Sequence, residues 1–329
     1  MAWILAGAAI VFLVLWAMAM PDLNGVPASK LALGRGGTSR PQAAPKPGVS
    51  PSATGSPAAT QTATPAPAQG SGPAMTEVTE SVTVGSLVRT YEAFLPSHPV
   101  AAQIPALIML HGLGVTGDEE ALRDGLLWMA AGGDAVVVYP NGYKMSWDGA
   151  SCCGSAQIEG VDDLDFILDV VRSLAADPEI KGIYVGGYSN GGKVAYEVGC
   201  ADPSLIAGVV AVHAVPGGAC PDDGPVSLLE IANTTDPRVA YDATHTIPIV
   251  NGFRETTVLG EVAAWKARDA CPAASTTATG DRLSTQTWSC SSGTRVVLAT
   301  YAGGDHGWPA GAPGTPSAGQ VIWTFMSPP

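Results

Sequence analysis

From Glu77 to near the end of the chain, apolar runs of strand length alternate with stretches of helical periodicity. A strand buried on both faces is apolar at nearly every position, which is typical of parallel sheets. Six runs predict strands of this sheet: PALIMLHG (105–112), DAVVVYP (134–140), GIYVGG (182–187), AGVVAVHA (207–214), VSLLEIA (226–232) and TRVVLATY (294–301). Before them, residues 81–96 predict an antiparallel hairpin that starts the sheet.

The stretches of helical periodicity lie between these strands. They predict helices at Asp118–Ala131, Asp162–Ala176, Asn190–Cys200, Val258–Ala270 and Ser317–Phe325. Strands that alternate with helices indicate an α/β fold, in which a mostly parallel central sheet carries helices on both faces. The sequence shows no internal repeat and no second domain boundary within this region.

The first 75 residues have a different character. Residues 1–20 contain no charged side chain, and Ala17-Met18-Ala19 offers a small-x-small cleavage pattern, so we predict a signal peptide over 1–19. An uncleaved membrane anchor is the alternative, because the apolar run is just long enough to span a bilayer. Residues 20–75 are rich in Pro, Ala, Ser and Thr and predict a disordered linker. The predicted folded domain is therefore 76–329.

Charge and cysteine content narrow the class of protein. The chain has a net charge of −13, and the part from Met75 onward has 12 basic and 28 acidic residues, a net of −16. A surface that binds nucleic acid needs clustered positive charge, so we expect no nucleic-acid partner. The six cysteines, all at or after Cys152, suit an oxidising compartment. We expect a secreted or extracellular protein, tethered only if residues 1–20 remain attached, and a monomer.

The sharpest chemical signal is Gly187-Tyr188-Ser189-Asn190-Gly191, which follows a predicted strand and opens a predicted helix. A G-x-S-x-G motif in that position predicts a nucleophile elbow, in which small residues let strand and helix approach each other around an exposed serine. The helix N-terminus behind the serine favours developing negative charge. We therefore predict that Ser189 is a nucleophile.

A serine nucleophile needs a base and an acid. In α/β-hydrolases the order along the chain is Ser, acid, His, with the histidine in a loop after the last strand. His306 meets this condition, whereas His213 is expected to be a core residue and His245 lies in a Thr-rich loop. Asp236 follows a predicted strand between Ser189 and His306. The competing acids are Asp222, Asp223, Asp242 and Asp305.

The remaining parts of a hydrolase site can be placed by position. His111-Gly112-Leu113-Gly114 follows a buried strand at the point where such enzymes present a backbone amide, so we assign the oxyanion donors to the N–H groups of Leu113 and Asn190. His111 itself is expected to be structural. Three aromatic residues flank the site in sequence and are predicted to bind substrate: Tyr143, Trp147 and Trp308.

Several of these segments together, HGLG, VVVYPNG, SWDGASCCGSA, GVDDLDFI, GYSNGG, TTDPRVAY and GGDHGWP, resemble the secreted esterases known as polyhydroxybutyrate depolymerases and feruloyl esterases. The resemblance covers roughly residues 85–327. It implies an α/β-hydrolase fold and a Ser-His-Asp esterase without a cofactor or metal, with Ser189, Asp236 and His306 in the family's catalytic positions. The chain departs from the family pattern at Ala232-Asn233 and Leu113-Gly114-Val115, which bears on substrate preference.

Proximity and the family pattern also favour two disulfides, Cys200–Cys220 and Cys271–Cys290. Cys152 and Cys153 are then either a vicinal disulfide or two free thiols. The expected substrates are hydroxycinnamoyl (feruloyl) esters first and polyhydroxyalkanoate-type polyesters second, bound in an aromatic cleft with little positive charge. The alternatives are acetylated xylan, an aromatic polyester, an acyltransferase reaction, and a non-catalytic binding domain.

Overall fold

A computed structural model describes residues 74–220, 224–273 and 275–327 of the chain. The predicted signal peptide or anchor and nearly all of the predicted linker lie outside the described residues, as do Asp222 and Asp223. Within the described ranges, no helix is both long and apolar enough to cross a membrane.

Ten strands form the main sheet, in the order β1-β2-β4-β3-β5-β6-β7-β12-β11-β10. The six central strands, β4-β3-β5-β6-β7-β12, run parallel to one another. The strands on both sides of these six pair antiparallel. A separate two-stranded hairpin consists of β8 and β9. The bounds are β1 Met75–Val84, β2 Leu87–Pro96, β3 Ile104–Leu110, β4 Val136–Pro140, β5 Ile180–Tyr188, β6 Gly208–Val212, β7 Ser227–Asn233, β8 Ile249–Val250, β9 Phe253–Arg254, β10 Thr276–Thr279, β11 Leu283–Ser289 and β12 Arg295–Tyr301.

Seven helices are described: α1 Gly117–Asp124, α2 Trp128–Gly132, α3 Ser155–Glu159, α4 Asp163–Ala175, α5 Asn190–Ala201, α6 Val258–Arg268 and α7 Ala318–Met326. They cover the sheet on both faces. One hydrophobic cluster joins the sheet to α4, α5 and α6 through residues such as Phe166, Tyr196 and Trp265. A second cluster joins the opposite face to α1, α2 and α7 through residues such as Met129 and Ile322.

The predicted fold class is confirmed, since a mostly parallel central sheet lies between two layers of helices. The parallel strands are apolar throughout because both of their faces are buried; every residue of β4 and β6 is buried. Parallel strands end at the same edge of the sheet, and the loops after them meet there. Ser189 and Asp236 both come from such loops.

Besides the β8–β9 hairpin, which was not expected, three parts of the fold differ from the prediction. The helix expected over 118–131 is two helices, because Gly125 ends α1 in the left-handed conformation with φ 64°. Strands β10 and β11 extend the sheet beyond β12, and their polar residues gave no buried-strand pattern. The short helix α3 was also not expected, since five residues show too little periodicity.

Candidate active site

Ser189 lies in a tight turn between β5 and α5, with φ 53° and ψ −114°. This positive φ is costly for a residue with a side chain and persists only where its surroundings impose it. Three glycines let strand and helix crowd together at this turn. A Cβ on Gly187 would lie 2.2 Å from the backbone of Gly191, and one on Gly192 would lie 2.4 Å from Ala214. The turn therefore has the geometry expected of a nucleophile elbow.

His306 connects this serine to Asp236. Its Nε2 lies 2.8 Å from Ser189 Oγ, and its Nδ1 lies 2.7 Å from Asp236 Oδ2. Ser189 lies 117 positions before His306 in the sequence, and Asp236 lies 70 positions before it. The structure thus brings together the three residues singled out as nucleophile, base and acid.

Asp236 is held on both of its oxygens. Oδ1 accepts the backbone N–H groups of Arg238 at 2.7 Å and Val239 at 3.1 Å, while Oδ2 faces His306. Burial alone would raise the pKa of this carboxyl. The hydrogen bonds from the imidazoles of His213 and His306 and from the Arg238 amide outweigh burial and hold the pKa below its usual range. Asp236 is therefore an anion across the range in which an imidazole titrates.

The two competing acids that the structure describes, Asp242 and Asp305, make no hydrogen bond to the His306 ring. Asp242 lies 2.9 Å from His245 on the surface, and hydrogen bonds from Thr244 and His245 lower its pKa to about 2. The Asp305 carboxylate instead accepts the backbone N–H of Gly307 at 2.8 Å.

His213 is the residue at the site that sequence reasoning missed. It is fully buried, and its Nδ1 lies 2.9 Å from the same Asp236 Oδ2 that faces His306. The expectation that His213 is a core residue is correct about its burial but not about its surroundings. The sequence did contain an indication of this contact. His213 directly follows β6, and β6 ends at the same edge of the sheet as β7, whose following loop carries Asp236.

The loop between β3 and α1, which carries Leu113, is fastened by two buried side chains. His111 Nε2 accepts the N–H of Gly142 at 2.9 Å, and its Nδ1–H donates to the Gly112 carbonyl at 2.8 Å. Burial lowers the pKa of His111 to about 4, so it is neutral near pH 7. Glu120, at the start of α1, accepts the Gly112 N–H at 3.2 Å. His111 is thus structural in this geometry.

The backbone around the two predicted oxyanion donors is crowded. A Cβ on Gly191 would lie 2.4 Å from the Leu110 carbonyl and 2.6 Å from that of His111, so the end of β3 packs directly against the start of α5. The amides on either side of Leu113 are occupied, that of Gly112 by Glu120 and that of Gly114 by the Met145 carbonyl. Within the described residues, no acceptor takes the N–H of Leu113 or Asn190.

The side chain of Asn190 ties the elbow to the loop that follows β4. Its Oδ1 accepts the Trp147 N–H at 2.8 Å, and its Nδ2 donates to the carbonyls of Trp147 at 3.0 Å and Cys152 at 3.2 Å. The backbone amide of Asn190 is left for another partner. One residue therefore fixes a neighbouring loop and presents a free N–H.

The three aromatic residues predicted to bind substrate have different environments. Trp147 is fully buried, its indole N–H donates to the His111 carbonyl at 2.9 Å, and it stacks on Phe166. Its assignment to substrate binding is therefore wrong, because no face of its ring reaches solvent. Tyr143 is half-buried and donates its hydroxyl to Glu159 at 2.9 Å.

Trp308 differs from the other two because it is half-buried and borders open space. It lies edge-to-face against Tyr188, 6.1 Å between ring centroids, directly beside the nucleophile. It also borders a groove of about 1000 Å³ that continues to Trp128 and Trp323. Of the three predicted aromatic contacts, Trp308 is the one that borders this groove.

A cation lies close to this groove, contrary to the expectation of little positive charge. The guanidinium of Arg123 lies over the Tyr188 ring, 4.9 Å from its centroid, and borders the same groove. Its charge is partly offset by buried Glu120, 3.1 Å away. The Tyr188 hydroxyl in turn donates to the backbone carbonyl of His306.

His213, Asp236 and His306 are also the residue types that hold transition metals. Their ligand atoms lie within 4.8 Å of one another, and within the described part of the chain this is the cluster that meets that condition. At 2.7 and 2.9 Å from Asp236 Oδ2, the Nδ1 atoms of His306 and His213 occupy the carboxylate oxygen that a metal would need, while Nε2 of His213 has no partner among the described residues. A metal there would occupy the atoms that connect His306 to Asp236.

All six cysteines are paired. The disulfides are Cys152–Cys153, Cys200–Cys220 and Cys271–Cys290. Cys200–Cys220 joins the end of α5 to the loop after β6, and Cys271–Cys290 joins the end of α6 to the end of β11. The vicinal pair lies in the loop that Asn190 fastens.

Two known proteins with similar sequences are both named as esterases. The chain is 28% identical over 269 residues to NocK of Nocardia uniformis subsp. tsuyamanensis, named as an esterase, covering 72% of this chain and 75% of that protein. It is 25% identical over 209 residues to feruloyl esterase B of Piromyces equi, covering 58% of this chain and 36% of that enzyme. No protein-family model matches the chain.

The fold has a counterpart among solved structures. The acetyl xylan esterase from Aspergillus awamori superposes with a TM-score of 0.52 at 12% identity, covering 76% of this chain and 98% of that one. At that identity the likeness concerns the fold, whereas the two sequence relatives bear on the activity. The fold is that of an α/β-hydrolase, and the two esterase relatives support a carboxylic ester hydrolase.

Proposed function

We propose that the protein is a secreted serine esterase that works through Ser189, His306 and Asp236 and an acyl-enzyme intermediate. The observation that carries the proposal is the continuous chain of hydrogen-bond contacts from Ser189 Oγ through both ring nitrogens of His306 to Asp236, at 2.8 and 2.7 Å. A serine hydroxyl needs such a base, and the base needs an oriented partner.

In the proposed mechanism the same groups act twice, first in acylation of Ser189 and then in hydrolysis of the acyl-enzyme. His306 Nε2 takes the Ser189 proton as Oγ attacks the ester carbonyl, and the resulting imidazolium is stabilised by the Asp236 carboxylate. The N–H groups of Leu113 and Asn190 hold the oxyanion of the tetrahedral intermediate. His306 then gives its proton to the departing alcohol. Water attacks the acyl-enzyme by the same steps and regenerates Ser189.

The proposed substrates are hydroxycinnamoyl esters first and polyhydroxyalkanoate-type polyesters second. An aromatic acyl group would stack on Trp308, and a polymer would continue along the groove toward Trp128, whose side chain is 41% exposed. The feruloyl esterase among the relatives supports the first choice. Acetylated xylan, an aromatic polyester and transfer to an acceptor alcohol are alternatives with the same triad.

The proposal is tested by hydrolysis of p-nitrophenyl acetate. Wild type is expected to be active and Ser189→Ala inactive, whereas Ser204→Ala, an exposed serine bonded to Asp202, is a matched control that keeps full activity. Equal activity of wild type and Ser189→Ala would overturn the proposal. Lack of hydrolysis by all three proteins would leave the non-catalytic domain as the better explanation.

Substrate choice is tested separately with methyl ferulate, acetyl xylan, poly(3-hydroxybutyrate) and polyester film. The proposal expects the highest kcat/KM on methyl ferulate. Product analysis with an added acceptor alcohol distinguishes hydrolysis from transfer, since a transferase would release the acceptor's ester instead of the free acid.

Secretion as a monomer is also part of the proposal. Secretion is supported by the disulfides and by the uncharged segment 1–20. N-terminal sequencing of protein recovered from culture medium should begin at Met20. Recovery of the intact N-terminus in the membrane fraction would instead indicate an anchor. Light scattering tests the monomer.

A further inference from the structure

A second imidazole on the triad carboxylate has no part in the mechanism above. Asp236 Oδ2 lies between His306 Nδ1 at 2.7 Å and His213 Nδ1 at 2.9 Å, with the two imidazole centroids 5.6 Å apart. The other oxygen, Oδ1, is occupied by two backbone amides. The carboxylate thus has four contacts, and only the contact with His306 belongs to the catalytic triad.

The backbone at His213 is held in an uncommon conformation. The residue directly follows β6, its N–H donates to the Ile231 carbonyl of β7 at 2.9 Å, and its φ is +52°. A left-handed conformation favours glycine and, among residues with side chains, asparagine, aspartate and histidine. A histidine there accepts a conformational cost, and its side chain is completely buried against Asp236.

We propose that His213 is a positioning residue of the esterase: its Nδ1–H donates to Asp236 Oδ2 and fixes the plane of the carboxylate that orients His306. This inference rests on the proposed function of the triad. The two amides hold Oδ1, and the other contact on Oδ2 is His306 itself, the group to be oriented. A second donor on Oδ2 fixes the plane of the carboxylate independently of His306.

The same hydrogen bond has an electrostatic effect. A donor on Oδ2 takes up part of the negative charge that would otherwise stabilise protonated His306. Removing that donor makes Asp236 a stronger partner, so His306 binds its proton more tightly and is in the basic form only at higher pH. Loss of His213 is therefore expected to move the acid limb of kcat/KM upward while lowering kcat.

The ionisable groups around this network are few. Tyr188 of β5 packs its ring edge-to-face against His213, 6.2 Å between centroids, and Asp236 and His306 come from the loops after β7 and β12. Burial raises the pKa of the Tyr188 phenol, so it stays protonated through the acid limb. The guanidinium of Arg123 lies over the Tyr188 ring, 4.9 Å from its centroid.

The test compares two substitutions that both tolerate the left-handed backbone. His213→Asn retains a side-chain N–H near the position of Nδ1, whereas His213→Gly has no donor. On p-nitrophenyl acetate, His213→Gly should lose about tenfold or more in kcat, with little change in KM and an acid limb shifted to higher pH. His213→Asn should recover most of kcat with the limb near its wild-type position.

A matched control exists on the surface. His245 contacts Asp242 through the same atom pair, Nδ1 to a carboxylate oxygen at 2.9 Å, away from the site. His245→Gly and His245→Asn should change neither kcat nor the pH limb. Thermal unfolding midpoints identify any variant that fails to fold, and proton NMR of the hydrogen bond between His306 and Asp236 should shift in His213→Gly only. EDTA treatment of wild type should have no effect, and EDTA-sensitive activity would favour a metal at the three residues.

The outcomes separate this inference from the proposed function. If Ser189→Ala keeps activity, the triad itself fails. If Ser189→Ala is inactive while His213→Gly keeps wild-type kcat and pH limb, the triad stands and the positioning role is overturned. Equal losses in folded His213→Gly and His213→Asn with an unmoved limb would also overturn it, because they would indicate a packing role.

Discussion

The two halves of the candidate site use histidine in opposite ways. In the half formed by the β3–α1 loop, His111 bonds through both nitrogens to backbone groups and stays neutral, with its pKa lowered to about 4 by burial. In the other half, His306 contacts only side chains, a hydroxyl and a carboxylate. An oxyanion pocket must keep a fixed geometry while charge appears in it, whereas a base must itself gain and lose charge. The partner atoms of each histidine match these requirements.

The largest expected effect comes from substitutions in the half of the site that contains His306. Ser189→Ala and His306→Ala should each lower kcat by about 10⁴-fold or more, because the triad acts as a unit. Asp236→Asn should lose somewhat less. Steady-state hydrolysis of p-nitrophenyl acetate measures this, with circular dichroism to show that the fold survives. Near wild-type activity of His306→Ala would redirect the assignment to His213 or His245.

The next effect concerns His111, in the half formed by the β3–α1 loop, and is measured as a change in the free energy of unfolding. Below pH 6.5 the unfolded chain protonates His111, while the folded protein resists until about pH 4, so the stability from neutral His111 is lost as pH falls through this window. The loss amounts to about 3 kcal/mol. Urea unfolding of wild type and His111→Asn at pH 7 and pH 4.5 should show their difference in unfolding free energy shrinking at the lower pH. Exposed His98→Asn should follow wild type at both pH values.

A smaller effect tests how the neutral half is fastened. Glu120→Ala removes the acceptor for the Gly112 N–H and should lower kcat by about 30-fold through loosening of the loop that carries Leu113. Glu120→Gln keeps an oxygen for that N–H. Both variants lose the ion pair with Arg123, so the difference between their kcat values isolates the hydrogen bond. Equal and lowered kcat values would mean that the charge matters and the hydrogen bond does not, whereas wild-type kcat in both would mean that neither matters.

The smallest effect lies outside both halves, at the groove. Trp308→Ala should lower kcat/KM on methyl ferulate by about tenfold, on the order of 1.4 kcal/mol, while sparing p-nitrophenyl acetate. Trp308→Phe keeps an aromatic face and should lose less. Equal losses on both substrates would indicate that Trp308 packs the histidine loop against Tyr188 and does not bind the acyl group.

What the sequence predicts well is local. The strand, turn and helix around Ser189 are consecutive, so the glycine spacing is visible directly in the printed chain. The apolar runs predict the parallel strands for the same reason. Asp236 and His306 follow from their order after Ser189, although their contact does not.

What it predicts poorly depends on contacts distant in sequence. Trp147 lies in a loop that looks like a rim segment, yet it is buried because Asn190 and His111 bond to it. Arg123 approaches Tyr188 only because α1 packs beside the site. The contact of His213 with Asp236 needs the pairing of β6 with β7, which no local pattern displays.

The crowding at the elbow has a consequence for saturation libraries. Any side chain at Gly187, Gly191 or Gly192 meets other atoms at 2.6 Å or less, so substitutions there should deplete a library screened for abundance. Ser189→Ala and Ser189→Gly remove the hydroxyl but leave these approaches intact, so they should pass an abundance screen and fail only an activity screen. Sequencing one library after both screens would separate the residues that build the turn from the residue that reacts.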